Sequence, residues 1–266
     1  MGQAESLESK RSIGWLRRSC DLHDGPGCNA LGRQYVFGVD TLVNPERGWP
    51  LIRRSCDLDT GDACALLTLY AASDNGKTRD PAKASSLMRR ACRLQSGSSC
   101  TSWGLLHETG YMASKDFGRA RELFQRACDL GDGGGCAMPG LRALENGETK
   151  RGLEGLGQAC DLGFGEACLY QAGRYAAGDG VAKDLPRALR SLQAACDLGI
   201  GAGFWAVGMH YRRGDGVAIN LALAAERFEV GCRSGYVPSC QVLGMRPPKP
   251  QPDGLNWPAA YRQFDR

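Results

Sequence analysis

The thirteen cysteines of this 266-residue chain recur with a fixed period. Twelve of them form six pairs with seven residues between the members, and the thirteenth, Cys196, stands alone. When Cys196 is counted as a first member, successive first members are 36, 36, 36, 32, 36 and 36 residues apart. A fixed period in this range indicates a solenoid of stacked repeats. The pairs are Cys20 and Cys28, Cys56 and Cys64, Cys92 and Cys100, Cys128 and Cys136, Cys160 and Cys168, and Cys232 and Cys240.

Glycine and apolar residues follow the same period. The turn between paired cysteines carries a glycine, for example Gly131, Gly163 and Gly199, where the end of a helix needs a left-handed residue. An apolar helix follows the second cysteine, and a loop such as residues 177–184 leads to a second helix. In residues 185–196 apolar side chains lie three and four apart, which is typical of a helix. The sequence therefore predicts an all-α chain with two helices in each repeat.

Two loop segments are similar to a known family. Tyr-Ala-Ala-Gly-Asp-Gly-Val-Ala-Lys-Asp (175–184) and Tyr-Arg-Arg-Gly-Asp-Gly-Val-Ala-Ile-Asn (211–220) resemble the Sel-1-like repeat, a relative of the tetratricopeptide repeat. The paired cysteines resemble the cysteine-rich branch of that family. The resemblance implies a right-handed α/α superhelix of about seven repeats. The fourth repeat departs from the pattern, because its loop is four residues shorter and Pro139 lies inside its first helix.

The expected organisation has three parts. A flexible N-terminus covers residues 1–10, the repeat solenoid covers 11–244, and a proline-rich tail covers 245–266. The tail begins with an extended segment at 247–252, which predicts a semi-rigid spacer. No apolar run approaches the length of a membrane span.

The paired cysteines allow three interpretations. A zinc site favours shorter spacings and convergent histidines, and a redox relay favours a C-x-x-C motif. We favour a structural disulfide within each of the six pairs, since two helices joined by a tight turn bring such residues within bridging distance. Cys196 is then expected to remain a thiol, because Phe204 occupies its partner position. An external disulfide or a modification of Cys196 is the alternative.

Six disulfides predict an oxidising compartment. The N-terminal residues lack the apolar core of a secretory signal. Two locations remain. The first is the mitochondrial intermembrane space, because the chain resembles the assembly factor of cytochrome oxidase with Sel-1-like repeats. The second is the bacterial periplasm or secretion, if a signal peptide has been removed. We favour the mitochondrial location.

The motifs of known enzymes are incomplete in this sequence. Cysteine-rich bacterial members of the family have been described as beta-lactamase-like, but no lysine follows a serine by three positions, as the S-x-x-K motif requires. The Ser73-Asp74-Asn75 triplet lacks its companion motifs, and Glu108 after His107 lacks the second histidine of H-E-x-x-H. We therefore predict no catalytic residues, no metal and no cofactor. A penicillin-binding or beta-lactamase-like hydrolase is the alternative.

Two sets of residues are candidates for binding a partner protein. The first occupies one position in the first helix of successive repeats and varies from repeat to repeat. The second is an aromatic face on the tail, with a spacing that one side of a helix shares. The alternative is that these aromatic side chains cap the last repeat. The first set is Gln34, Tyr70, Arg142, Arg174 and His210, with Leu106 at the same position, and the second is Trp257, Tyr261 and Phe264.

Basic residues precede several cysteines, as in Arg89 and Arg90, and predict either a solvated face or a docking stripe for an acidic partner. The net charge of +4 does not favour a nucleic-acid partner. We predict a non-catalytic scaffold for protein–protein interaction, an accessory subunit or assembly factor of a larger, respiratory complex. No transmembrane segment is expected, although the chain would be peripheral to a membrane complex.

Overall fold

The regular elements of the chain are α-helices. The computed structural model describes residues 7–38, 41–72, 80–111 and 113–248, and within these ranges no strand occurs. The predicted all-α repeat fold is confirmed. The helices are α1 (Leu7–Asp21), α2 (Gly25–Phe37), α3 (Pro45–Asp57), α4 (Gly61–Ala72), α5 (Pro81–Arg93), α6 (Gly97–Thr109), α7 (Phe117–Asp129), α8 (Gly133–Glu145), α9 (Thr149–Asp161), α10 (Gly165–Ala177), α11 (Leu185–Asp197), α12 (Gly201–Arg213), α13 (Leu221–Arg233) and α14 (Val237–Val242).

The helices form two compact units, Met1–Leu198 and Gly199–Arg266. We call the helix that follows a short turn an A helix and the helix that follows the longer loop a B helix. In the first unit, each A helix from α2 to α10 packs most closely on the B helix that follows it. In the second unit, α12 packs most closely on α13. One A helix and its following B helix therefore form a repeat, and the short turn joins successive repeats. The first helix begins at Leu7, four residues before the predicted start of the solenoid.

Five of the B helices, α3, α5, α7, α11 and α13, begin at side-chain caps, whereas α9 follows Glu148, whose side chain does not cap it. The capping residue is Asp or Asn, and its side chain accepts a hydrogen bond from the backbone N–H three residues later, which satisfies a donor that the helix leaves open. Proline stands in the first turn of α3, α5 and α11, where its missing N–H is not needed. The sequence thus fixes where the longer loop ends and the B helix begins. The caps are Asn44, Asp80, Asp116, Asp184 and Asn220.

The short turns contain one residue in the left-handed conformation. Gly131, Gly163 and Gly199 have φ angles of 82°, 85° and 75°, which confirms their predicted conformation. The first three turns place residues with side chains there, namely His23, Asp59 and Gln95, at φ angles of 63°, 59° and 64°. Glycine adopts this conformation without strain, so the first three turns are less relaxed than those that follow.

Missing side chains allow the two helices of a repeat to approach closely. A Cβ atom on Gly32 of α2 would lie 2.6 Å from Cγ1 of Ile52 and 2.9 Å from the carbonyl oxygen of Gly48, both on α3. Ile52 is fully buried at this contact. The glycines therefore set the distance between α2 and α3.

The irregular repeat is altered in its loop and not in its helix. Helix α8 runs without a break through Pro139, although proline removes one hydrogen bond of the helix. Only residues 146–148 separate α8 from α9, whereas seven residues, 178–184, separate α10 from α11. Helices α8 and α9 nevertheless pack closely. Among the described helices, none combines the length and apolar character that crossing a membrane requires.

Candidate partner-binding surface

A disulfide joins each of the six predicted cysteine pairs. The Cα atoms of the pairs are 4.4 to 4.9 Å apart, within the range that a disulfide spans. Each bridge connects the end of a B helix to the start of the next A helix, so it links successive repeats. Cys196 is buried and forms none of these bridges. Disulfide-linked repeats fit an oxidising, extracytoplasmic compartment.

The bridges belong to the hydrophobic core. Cys56 and Cys64 are 1% and 0% exposed and pack in one cluster with Ile52, Leu67 and Ala91. The disulfide therefore adds to the packing between helices at the junction of two repeats.

The predicted series on the A helices includes residues in different surroundings. Gln34 and Tyr70 are half-buried, and the ring of Tyr70 lies 4.2 Å from the ring of Trp49. Leu106, at the same position of its repeat, is buried in the core. The position therefore does not present a uniform surface to solvent.

Two members of the series hold the loop of their own repeat. Arg174 donates a hydrogen bond to the carboxylate of Asp179, five residues later. His210 forms a hydrogen bond through Nδ1 to the carbonyl oxygen of Asp215, also five residues later, at 2.7 Å. Each contact ties the end of an A helix to the loop that leads to the B helix. Their role as partner-binding residues stays a prediction.

Arg142 makes a different set of contacts. Its Nε donates to Oε1 of Glu108 at 2.7 Å, and its Nη1 donates to Oε2 of Glu145 at 2.6 Å. The hydrogen bond to Glu108, followed by that to Glu145, holds the pKa of the Arg142 guanidinium above its ordinary value. The Glu108 side chain is only 9% exposed, and its Oε2 is buried and has no hydrogen-bond partner among the described residues. Arg142 is thus a fixed positive charge above a buried carboxylate.

Arg142 and Glu108 line a groove of about 640 Å³ between α6, α7, α8 and α9. We call it the Arg142 groove. Phe124 and Pro139 provide apolar surface, and basic side chains from three elements surround it. Sequence reasoning missed every lining residue except Arg142. The lining of the groove includes Glu108, Lys115, Phe117, Arg121, Phe124, Pro139, Arg142, Glu148 and Arg151.

The basic residues before the cysteines connect neighbouring repeats. Arg90 lies 3.0 Å from a carboxylate oxygen of Asp59 and 3.8 Å from one of Asp57, both in the preceding repeat. Arg126 donates to the backbone carbonyl oxygen of Arg93 at 3.3 Å. These arginines therefore make contacts between repeats, in addition to facing solvent.

Several residues that the sequence singled out are not among the described residues. Trp257, Tyr261 and Phe264 of the tail, like the Ser73-Asp74-Asn75 triplet, fall outside the described residues. Within the described ranges, no group of three His, Cys, Asp or Glu side chains is arranged to hold a metal. The absence of a metal or cofactor in the functional protein stays a prediction.

Paired helices, periodic left-handed turns and bridges between repeats define a disulfide-linked α/α repeat protein. The model of the Sel1 repeat matches residues 64–96, 97–132, 166–200 and 205–235, together just over half of the chain. The chain belongs to the Sel1 repeat family. Repeats of this family mediate protein interactions, which places the chain among binding scaffolds.

Two solved structures share the fold, and a third is similar in sequence over part of the chain. A Sel1 repeat protein from Oxalobacter formigenes is 20% identical with a TM-score of 0.66, and the match covers 86% of this chain and 97% of that one. A protective antigen of uropathogenic Escherichia coli is 18% identical with a TM-score of 0.62, covering 96% of this chain and 57% of that one. Cysteine-rich protein B of Helicobacter pylori is 30% identical over 48% of this chain and 95% of its own, with a TM-score of 0.40. No curated protein matches the chain.

Proposed function

We propose that this chain is a non-catalytic scaffold that binds a partner protein through the first compact unit. The observation that carries the proposal is a set of large aromatic side chains exposed on that unit. Trp15 is 70% exposed, Tyr111 58% and Tyr170 57%. Aromatic residues are enriched at protein interfaces, where their burial supplies much of the binding energy.

The disulfides support this proposal. A repeat array contacts only its neighbours, so its order depends on every junction between repeats. A covalent link at a junction keeps the B helix of one repeat and the A helix of the next in a fixed relationship. A binding surface held in this way loses less conformational freedom when the partner binds, which favours affinity.

The finer proposal concerns the complex and the compartment. We propose an accessory subunit or assembly factor of a respiratory complex in the mitochondrial intermembrane space, peripheral to the membrane. The disulfides support an oxidising compartment, and the family resemblance supports the respiratory complex. The bacterial periplasm is the alternative location, since it also maintains disulfides. Fractionation of the source cells followed by immunoblotting under non-reducing conditions separates the two.

Affinity capture tests the scaffold. The full chain with an affinity tag is expressed in its source cells, thiols are blocked at lysis, and co-purifying proteins are identified by mass spectrometry. We expect a reproducible partner whose recovery falls at least several-fold in a Trp15→Ala, Tyr111→Ala and Tyr170→Ala triple variant. Arg33→Ala, a polar change at an exposed position of α2, is the control and should leave recovery unchanged. Equal recovery by the triple variant and the control would show that these three aromatic side chains do not contribute to binding.

A further inference from the structure

Glu108 is an acidic residue at a buried position of an A helix. The equivalent position holds an apolar residue in most other A helices, for example Val36, Leu144 and Ala176, whereas α12 has the exposed Arg212 there. Glu108 is nevertheless buried in α6, with its side chain 9% exposed. A carboxylate at a buried position is unfavourable unless its oxygens are paired. One of them, Oε2, has no partner. Stability alone therefore does not account for a glutamate at this position.

The effect of Glu108 is to position Arg142. Glu108 accepts a hydrogen bond from Nε of the guanidinium at 2.7 Å, and Glu145 accepts one from Nη1 at 2.6 Å. No hydrogen bond from Nη2 of Arg142 occurs among the described residues. The Arg142 side chain is 53% exposed and lines the groove. A guanidinium held on one side and open on the other presents a donor to an anionic group.

The other basic residues of the Arg142 groove strengthen its positive charge. Arg151 pairs with Glu148 at 3.1 Å. Lys115 and Arg121, by contrast, form no ion pair within the part of the chain that the structure describes. Lys115 lies over the ring of Phe117, 5.1 Å from its centre. The groove thus has two cations without acidic partners, in addition to the open side of Arg142.

Apolar surface lies beside these cations. Phe117 is 61% exposed, whereas Phe124 is 3% exposed and contributes to the wall together with Pro139. The shorter loop between α8 and α9 brings the start of α9, with Arg151, to the same groove. A volume of about 640 Å³ accommodates several side chains of a ligand. Charge and apolar surface are therefore presented together.

We propose that the Arg142 groove binds an acidic peptide segment of the partner protein, one in which carboxylates flank an apolar side chain. The carboxylates pair with Arg142, Arg121 and Lys115, and the apolar side chain packs on Phe117 and Pro139. The cations of the groove favour an acidic segment by charge complementarity. The exposed apolar surface of Phe117 and Pro139 beside them favours an apolar residue in that segment. This inference rests on the proposed scaffold function and names the chemistry of its partner.

Fluorescence anisotropy tests the groove with defined probes. These are fluorescein-labelled decapeptides in which two glutamates flank one leucine or phenylalanine at separations of two to five positions. We expect at least one to bind, with an affinity that falls as salt is raised, because exposed charges are screened. Two control peptides replace the apolar residue by serine or the glutamates by lysine, and both should bind at least about tenfold more weakly.

Matched variants locate the site. Arg121→Glu should weaken binding of the acidic probe at least about tenfold, because it places a negative charge in the groove. Arg119→Glu makes the same change of net charge two residues away on α7, at a side chain that pairs with Glu122 and does not line the groove. It should have less than a threefold effect. Glu108→Leu restores an apolar residue and should also weaken binding, since Arg142 loses one of its two anchors.

Several outcomes would overturn the proposal. They are binding by none of the acidic probes, equal binding by the serine peptide, and equal losses in Arg119→Glu and Arg121→Glu. Affinity capture distinguishes this failure from that of the scaffold. If Arg121→Glu recovers the partner as wild type does, while the triple aromatic variant loses it, the scaffold stands and the groove proposal falls.

Discussion

The hydroxyl group of Ser55 donates a 2.6 Å hydrogen bond to the backbone carbonyl oxygen of Gly25. Ser55 lies near the end of α3 and is fully buried, and Gly25 is the first residue of α2. The bond therefore closes the open end of one repeat, opposite the loop that joins its two helices.

Removing this hydroxyl should weaken the repeat. Ser55→Ala leaves a buried carbonyl with one fewer donor, and we expect a loss of about 1–2 kcal/mol in the free energy of unfolding. Ser86→Ala removes an exposed hydroxyl that bonds to the carbonyl oxygen of Lys83 and should change stability by less than about 0.5 kcal/mol. Urea unfolding followed by circular dichroism measures both. Equal effects would mean that burial of Ser55 is unimportant.

The contact between α2 and α3 should not tolerate a methyl group. Gly32→Ala places a Cβ against Ile52 and the backbone of Gly48, and we expect destabilisation by about 1–3 kcal/mol. Gly14→Ala in α1 meets no atom within 4 Å and should stabilise the chain by about 0.5–1 kcal/mol, since alanine favours the helix. Thermal unfolding of the two variants should shift in opposite directions. A shift of both in the same direction would contradict the close approach of α2 and α3.

Gln95 and Gly131 occupy the same left-handed position in successive short turns, so exchanging the two residue types tests the cost of that conformation. Gln95→Gly should raise the free energy of unfolding by up to about 1 kcal/mol, because glycine relieves the strain of a positive φ. Gly131→Gln introduces the same strain one repeat later, where no atom lies within 4 Å of an added Cβ, and should lower stability by a similar amount. Chemical denaturation of both proteins measures the pair. Stabilisation by Gly131→Gln would contradict the backbone argument.

The bridge between Cys92 and Cys100 should contribute to stability. Replacing both by alanine opens a loop with a sequence separation of 8, and we expect a loss of about 2–3 kcal/mol. In reductant, the difference between this variant and the wild type should shrink. Mass spectrometry of a non-reduced digest should find every bridge between cysteines eight positions apart. A bridge between members of different pairs would contradict the structure.

Arg142 and Glu108 should behave as a coupled pair. Arg142→Ala leaves the buried carboxylate of Glu108 without its partner, and we expect destabilisation by about 1–3 kcal/mol. Glu108→Leu should be neutral or stabilising, because the position resembles the apolar core of other repeats. In the Glu108→Leu background, Arg142→Ala should then cost less than about 0.5 kcal/mol. Additive losses across this double-mutant cycle would show that the two side chains do not interact.

Local patterns in the sequence predicted the helices, the cysteine pairing and the left-handed glycines. These features depend on residues within one turn of the chain, as at Gly131 between α7 and α8. The role of Arg174 and His210 was not predictable in the same way. Both were selected because their position varies between repeats, whereas their contacts depend on which acceptor the following loop presents.

The Arg142 groove depends on residues that are distant in the sequence. Glu108 and Arg142 are 34 positions apart and meet only when two A helices stack. Comparison of the repeats contained an indication, since Glu108 stands at a position where Val36, Leu144 and Ala176 are apolar. That comparison shows which residue is unusual. The partner that it meets follows only from the packing of α6 on α8.

The bridges between repeats also limit how far the chain can be drawn out under tension. Eight extended residues span about 27 Å, whereas each bridge holds its two Cα atoms within 4.9 Å. The six disulfide-closed loops therefore shorten the fully extended chain by about 130 Å. Every closed loop is a short turn between repeats, so under tension the six bridged junctions stay closed until the disulfides are reduced. Extension is left to the longer loops, to the helices and to the turn between α11 and α12, which none of the six bridges spans.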